Sequence, residues 1–149
     1  MIANEGEFTV ESLNVSKARG QKKVPVESIA LRAGWGIEGD AHAGDWHRQV
    51  SLLADEDVDG MRAVLPSIGP GDFAENVTTR GVSVAELPVG ARLELGTAVL
   101  EVTQIGKECH EGCEIRAIVG DCVMPRRGIF AKVVESGEVR RGDRGRYRF

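Results

Sequence analysis

All three cysteines of the chain, and one of its three histidines, lie in QIGKECHEGCEIRAIVGDCVMPRRGIFAKVVESGEVRRGD, residues 104–143. The thiols are spaced Cys109-x3-Cys113-x8-Cys122, and His110 directly follows the first. A β-rich run, Ala98–Gln104, leads into this segment and another, Ile129–Val134, leads out. The residues between them read as a loop with one turn of helix, aimed by the two strands that hold it. A thiol is a nucleophile or a soft metal ligand only as the thiolate, and Lys107 and His110 stand close enough in sequence to stabilise Cys109 in that form. A second chemistry uses the same residues. Three thiolates and an imidazole suffice for structural zinc, but no CxxC knuckle is present and adjacent Cys109 and His110 seldom converge on one ion. CHEGC is also not the C-x-x-C-H of covalently attached haem. Cys122 precedes Val123 and Met124 and has the surroundings of a buried, inert thiol.

Three further stretches carry chemistry-bearing types. GWGIEGDAHAGDWHRQ, residues 34–49, holds Asp40, His42, Asp45 and His47 among four glycines and two tryptophans. Carboxylates and imidazoles in such density suit a divalent metal; the alternative is a loop whose aspartates satisfy their own backbone and whose histidines are solvated. In GDFAENVTTRG, Glu75 and Asn76 stand between apolar residues at the start of a strand. An amide there either caps local backbone or reads the edge of a flat heterocycle with its donors and acceptor. Arg144, Arg146 and Arg148 alternate near the C-terminus and so share one strand face, which reads as a solvated edge strand guarded by charge.

The elements that must position these residues are short. Residues 8–15 and Val24–Arg32 have strand character, separated by a polar turn at Ser16–Lys23. Val50–Ala54 is a short buried strand. Asp55 is placed to cap a helix over Glu56–Leu65, with Val58, Met61 and Leu65 at helical spacing and Pro66 beyond them. Residues 71–84 form a loop passing into a short strand, and 85–90 a turn. Residues 91–104 alternate on either side of Gly96 as a hairpin. Ile129–Glu135, Glu138–Arg141 and Gly145–Phe149 are the last strands. The sum is seven or eight strands with one or two short helices, and nineteen glycines punctuate them. That pattern predicts a mainly β fold, a closed or nearly closed barrel.

At 149 residues the chain has the size of a single domain. A net charge of −4 argues against a nucleic-acid-binding surface. No apolar run is long enough to span a bilayer, and the acidic MIANEGEF has no signal-peptide core. An odd number of clustered cysteines fits a reducing compartment, so a cytoplasmic location is expected.

The order of motifs is itself informative. K-x-P-V is followed by G-x-x-G-D-x-H, R-Q-V-S-L-L, G-D-F-A-E-N-V-T-T-R-G-V, L-P-V-G-A-R-L-E-L-G, V-T-Q-I-G-K-E-C and G-I-F-A-K-V-V-E-S-G-E-V, ending in G-D. From about Val24 to Asp143 the chain resembles a stand-alone MOSC domain, the module named after the C-terminal part of molybdenum cofactor sulfurases. The resemblance implies one domain over residues 1–149, a closed barrel, and a molybdopterin-type cofactor as ligand. It implies that Cys109 is the family cysteine, a ligand to molybdenum or a carrier of sulfur, with Lys107 and His110 beside it. It also implies cofactor contacts from Lys23, Asp40, His42, Arg48, Glu75 and Asn76. Many relatives have proline before the cysteine, where this chain has Glu108. The desulfurase half of the large sulfurases has no counterpart here, so the implied partner is a separate cysteine desulfurase, a molybdoenzyme or an electron donor. Three functions follow from these readings: a cofactor-binding protein that carries or delivers sulfur, a partner-dependent molybdenum reductase of N-hydroxylated compounds, or a structural zinc module.

If Cys109 is the activated thiol, mild alkylation followed by peptide mapping labels it before Cys122. Preferential labelling of Cys122 would count against the assignment.

Overall fold

A computed structural model describes residues 2–19, 21–106 and 127–149. In chain order its strands are β1 (Glu5–Val15), β2 (Val24–Val26), β3 (Ser28–Arg32), β4 (Gly36–Ile37), β5 (Val50–Ala54), β6 (Val77–Arg80), β7 (Arg92–Leu95), β8 (Ala98–Ile105), β9 (Ile129–Glu135), β10 (Gly137–Arg140) and β11 (Arg144–Arg148). An α-helix, α1, spans Asp55–Arg62, and a 3-10 turn spans Val84–Glu86. Cys109, His110 and Lys107, with Cys113 and Cys122, lie outside the described residues.

The strand with the most partners is the first. Thr9 pairs with both Arg144 and Arg80, and Leu13 with both Val26 and Val77. One edge of β1 is therefore shared by β11 and then β2, while β6 takes the other. From β6 the sheet continues through β5, β9, β8 and β7 to β11, which returns to β1. Seven strands thus close a barrel, antiparallel everywhere except β5 against β6. A second sheet, β10-β3-β4, packs beside it. The seam between β1 and β11 depends on a glycine: a Cβ on Gly145 would lie 2.4 Å from the ring of its register partner Phe8.

Strand β5 explains how the barrel carries a helix. All five of its residues are buried, because both its faces are covered. Val50, Leu52 and Ala54 belong to the barrel core. Leu53 points the other way, into a separate cluster with Val58 of α1, Ile68, Phe73 and Phe130. A continuous apolar run is what a doubly covered strand requires.

The mainly β barrel is as the sequence predicts, and so are the helix after β5, β5 itself and the β7–β8 hairpin at Gly96. Several details differ. Val24–Arg32 breaks at Glu27, since β2 pairs with β1 and β3 with β10. Asp55 is not the cap of α1; that position is Ala54, with no side-chain cap bond. The Asp55 carboxylate instead takes Arg62 at 2.8 Å and Arg80 of β6, tying the helix to the barrel wall. Strand β11 is not an edge strand. It is hydrogen-bonded on both sides, to β1 and β7, and its arginines face solvent because Gly145 and Tyr147 face the core.

Leu93 and Leu100 are register partners across the hairpin and have no exposure. Leu100→Ala is expected to cost about 2–5 kcal/mol, read as a lower urea midpoint with an unchanged denaturant slope.

Candidate functional site

The polar turn after β1 and the glycine-rich stretch before β5 meet at a buried ion pair. Lys23 Nζ lies 2.8 Å from Asp40 Oδ1, and neither side chain has any exposed surface. The same ammonium lies 3.1 Å from Ser16 Oγ and 2.9 Å from His42 Nδ1. The carboxylate is completed by backbone: Ser16 N donates to Oδ1 at 3.0 Å and His42 N to Oδ2 at 3.1 Å. Burial works to raise the Asp40 carboxyl, but the bonds from Lys23, Ser16 and His42 outweigh it, and the net direction is downward.

His42 opens onto an aromatic stack. Its ring is parallel to Trp46, with centroids 6.4 Å apart, and Trp46 Nε1 donates to the His42 carbonyl at 2.7 Å. The Arg19 guanidinium covers Trp46 at 4.5 Å. The stretch then crosses to β8. His47 Nε2 and Arg48 Nε lie 2.8 Å and 3.1 Å from Gln104 Oε1, and Arg48 stacks over Phe130 at 5.1 Å. Gln104 is two residues before Gly106, whose N–H donates to Gly128 O at 2.7 Å. That bond clasps the root of the cysteine segment. Arg127 secures the returning chain, with Nε 3.2 Å from Asp57 of α1 and Nη2 2.8 Å from Ser83 Oγ.

Glu75 and Asn76 are placed differently. Asn76 is fully buried; its amide oxygen accepts from Ser51 N at 3.0 Å and its amide nitrogen donates to Asn14 O at 3.1 Å. Glu75 is 1% exposed and accepts from Phe73 N at 3.2 Å and Thr78 Oγ1 at 3.1 Å. Thr78 takes Ser12 Oγ at 2.7 Å, and Asn14 Nδ2 donates to Ser12 Oγ at 3.2 Å. The Asn14 amide oxygen is buried with no partner among the described residues. Burial pushes the Glu75 carboxyl up, against the hydrogen bonds it accepts. Ala74 just before it has φ 64, a conformation that non-glycine residues keep only when their surroundings impose it. The turn is fixed by Gly71, where an added Cβ would lie 2.1 Å from Lys23 O. Only glycine allows residues 71–76 to approach Lys23 so closely.

The structure therefore brings Lys23, Asp40 and His42 together, and links Arg48 to the root of the cysteine segment. Glu75 and Asn76 form a neighbouring buried network joined to Lys23 through Gly71. Asp40, His42, Asp45 and His47 do not gather as a metal site: among the described residues no three potential ligands cluster. The carboxylate of Asp40 and Nδ1 of His42 already face the ammonium. Sequence reasoning missed Ser16, Gln104 and the Arg19–Trp46 stack. A tryptophan four residues after a histidine in a glycine-rich loop was the available signal for the stack; nothing local marks Ser16 or Gln104.

The MOSC domain family model matches residues 39–145. The chain belongs to the MOSC family. This MOSC domain superposes on the YuaD protein from Bacillus subtilis with a TM-score of 0.81 at 20% identity, covering 97% of this chain and 98% of that one. It superposes on YiiM from Geobacillus stearothermophilus with a TM-score of 0.67 at 18% identity, covering 91% and 72%. For YiiM from Escherichia coli the TM-score is 0.63 at 18% identity, covering 95% and 69%. At these identities the likeness is one of fold. Among curated proteins, none matches the chain significantly. The MOSC family is related to the molybdenum cofactor. Among the described residues no helix is long and apolar enough to cross a membrane.

Glu75 gives the MOSC barrel a measurable pH signature. With its folded-state value raised above the ordinary value of about 4.3, stability is full below that value and falls as pH rises towards the folded value. Glu75→Gln removes this loss. Urea unfolding should show the variant gaining on the wild type as pH rises from acid to neutral; a gap independent of pH would refute it.

Proposed function

We propose that the protein binds a molybdopterin-type cofactor where the glycine-rich stretch that carries Asp40, His42 and Arg48 reaches the root of the cysteine segment, and that Cys109 is its working thiol. The observation that carries this reading is the contact of His47 and Arg48 with Gln104. It joins the glycine-rich stretch to the strand from which the Cys109 segment departs. The donor set fits such a group. Arg19 and Arg48 supply guanidinium donors, His47 an imidazole, and Trp46 and Phe130 flat faces. An anionic, acceptor-rich heterocycle bearing a phosphate is recognised by donors of this kind.

When bound, the cofactor supplies a molybdenum centre that takes soft thiolate ligands. The role of this chain is to hold it and to deliver Cys109 as the thiolate. For sulfur carriage, the Cys109 thiolate attacks the outer sulfur of a donor persulfide. A new S–S bond forms on Cys109, the old one breaks, and the donor leaves as its own thiolate. Glu75 and Asn76 contribute by fixing the 71–76 turn against Lys23 and β5. A cysteine desulfurase would supply the sulfur and a molybdoenzyme would receive it.

Protein purified from a host that makes molybdenum cofactor tests this directly. The wild type should carry molybdenum and pterin, and Cys109→Ser should abolish sulfur transfer while leaving the urea midpoint unchanged. Full activity in Cys109→Ser would defeat the reading. Zinc in the wild type, with unfolding of each single cysteine variant, would establish the structural-metal alternative instead. Turnover of an N-hydroxylated compound only on addition of an electron donor would identify the reductase.

A further inference from the structure

An ammonium has three hydrogens and no lone pair. Lys23 directs its hydrogens at Asp40 Oδ1, Ser16 Oγ and His42 Nδ1, at 2.8, 3.1 and 2.9 Å, from a side chain with no exposed surface. This differs from the arrangement in which a lysine reaches out to a phosphate. We infer that Lys23 is a positioning residue that acts through His42: its buried ammonium makes Nδ1 the acceptor, fixes the ring proton on Nε2, and so makes His42 a hydrogen-bond donor at Nε2.

The geometry leaves the imidazole little choice. Nδ1 faces a cation, so a proton there would set two donors against each other at 2.9 Å. Turning the ring over would keep its plane against Trp46 but would set a C–H in place of Nδ1 against the ammonium, and the backbone on either side of it is held. His42 N donates to Asp40 Oδ2, and His42 O accepts from Trp46 Nε1. The charged and titratable groups around the ring include Lys23 and Asp40 on one side, with Arg19 and His47 across Trp46. The nearest cation sits on Nδ1 itself. Asp40 Oδ2 is 3.8 Å from Nδ1 and is bonded to the His42 N–H. A neighbour that fixes which nitrogen carries the proton sets what an imidazole can do. His42 then neither accepts a proton nor binds a metal through Nδ1, and whatever meets Nε2 meets a donor. That this includes an acceptor atom of the ligand rests on the proposed function; the tautomer does not.

Long-range 15N–1H correlation spectra of the labelled full chain test the inference, with the three histidines separated by single His→Gln variants. The wild type should show His42 as the Nε2–H tautomer at neutral pH. Lys23→Met should release it to a tautomer mixture. If Lys23→Met does not fold, the wild-type spectrum decides alone: an Nδ1–H tautomer overturns the inference. Cofactor content separates the two proposals. Protein with the Nε2–H tautomer and no bound pterin retains this inference and defeats the function, whereas an Nδ1–H tautomer in pterin-loaded protein does the reverse.

Discussion

Moving an ammonium and a carboxylate out of water costs several kcal/mol for each ion, and the pair repays it only when the remaining valences are met. Lys23 and Asp40 meet that condition. Lys23 directs hydrogens to Asp40 Oδ1, Ser16 Oγ and His42 Nδ1, and the two carboxylate oxygens receive Lys23, Ser16 N and His42 N. Those partners come from the end of β1, the turn before β2 and the glycine-rich stretch before β5. Removing either ion would strand the other, a loss of about 3–5 kcal/mol. The pair thus makes the conformation of three connecting segments a single cooperative choice. Loops whose backbone is fixed in this way can hold a functional side chain as firmly as a strand does.

The neighbouring network follows the same logic with neutral groups. Residues Ser12 and Asn14 of β1 lie beyond the bulge in its pairing with β6. Their polar side chains are covered by the 71–76 turn instead of by water. The turn therefore has to bring partners with it. Glu75 meets Phe73 N and Thr78, and Asn76 bridges β5 to β1 through Ser51 and Asn14. Strand β5 runs parallel to β6, and the Asn76 bonds to Ser51 sit just where that pairing begins. The strained Ala74 is the local cost of reaching both strands from one turn.

What was legible in the sequence is what local pattern controls. Alternation on either side of Gly96 gives the β7–β8 hairpin, and the unbroken VSLLA gives a strand covered on both faces. Closure is a long-range matter. Nothing in Arg144–Arg148 distinguishes a guarded edge from a strand paired on both sides, because both show arginines alternating with inward residues. The decisive features are Gly145 and Phe8, 137 positions apart and in contact at the seam. The site was legible to the same degree. Asp40 and His42 announce themselves by type in a glycine-rich loop. That Lys23 turns inward depends on Gly71 drawing a distant turn across its backbone, and a lysine in a polar turn reads locally as exposed.

The division between barrel and site has a mechanical consequence. The cysteine segment leaves the sheet at Gly106 and re-enters by Gly128, and one backbone bond joins those two residues. On one side of this root, Gln104 is held by His47 and Arg48; on the other, Arg127 is held by Asp57 and Ser83. The root is therefore anchored independently to the glycine-rich stretch, to α1 and to the turn at Val84–Glu86. Because α1 is itself tied to β6 through Asp55 and Arg80, the anchors converge on the same β5–β6 wall that Asn76 braces. The ends of a long excursion from a barrel keep their place only if what anchors them does not drift. Here the anchors of Gln104 and Arg127 and the glycine-rich stretch hang from one wall, so the placing of Gly106 and Gly128 relative to Asp40, His42 and Arg48 is set by the sheet.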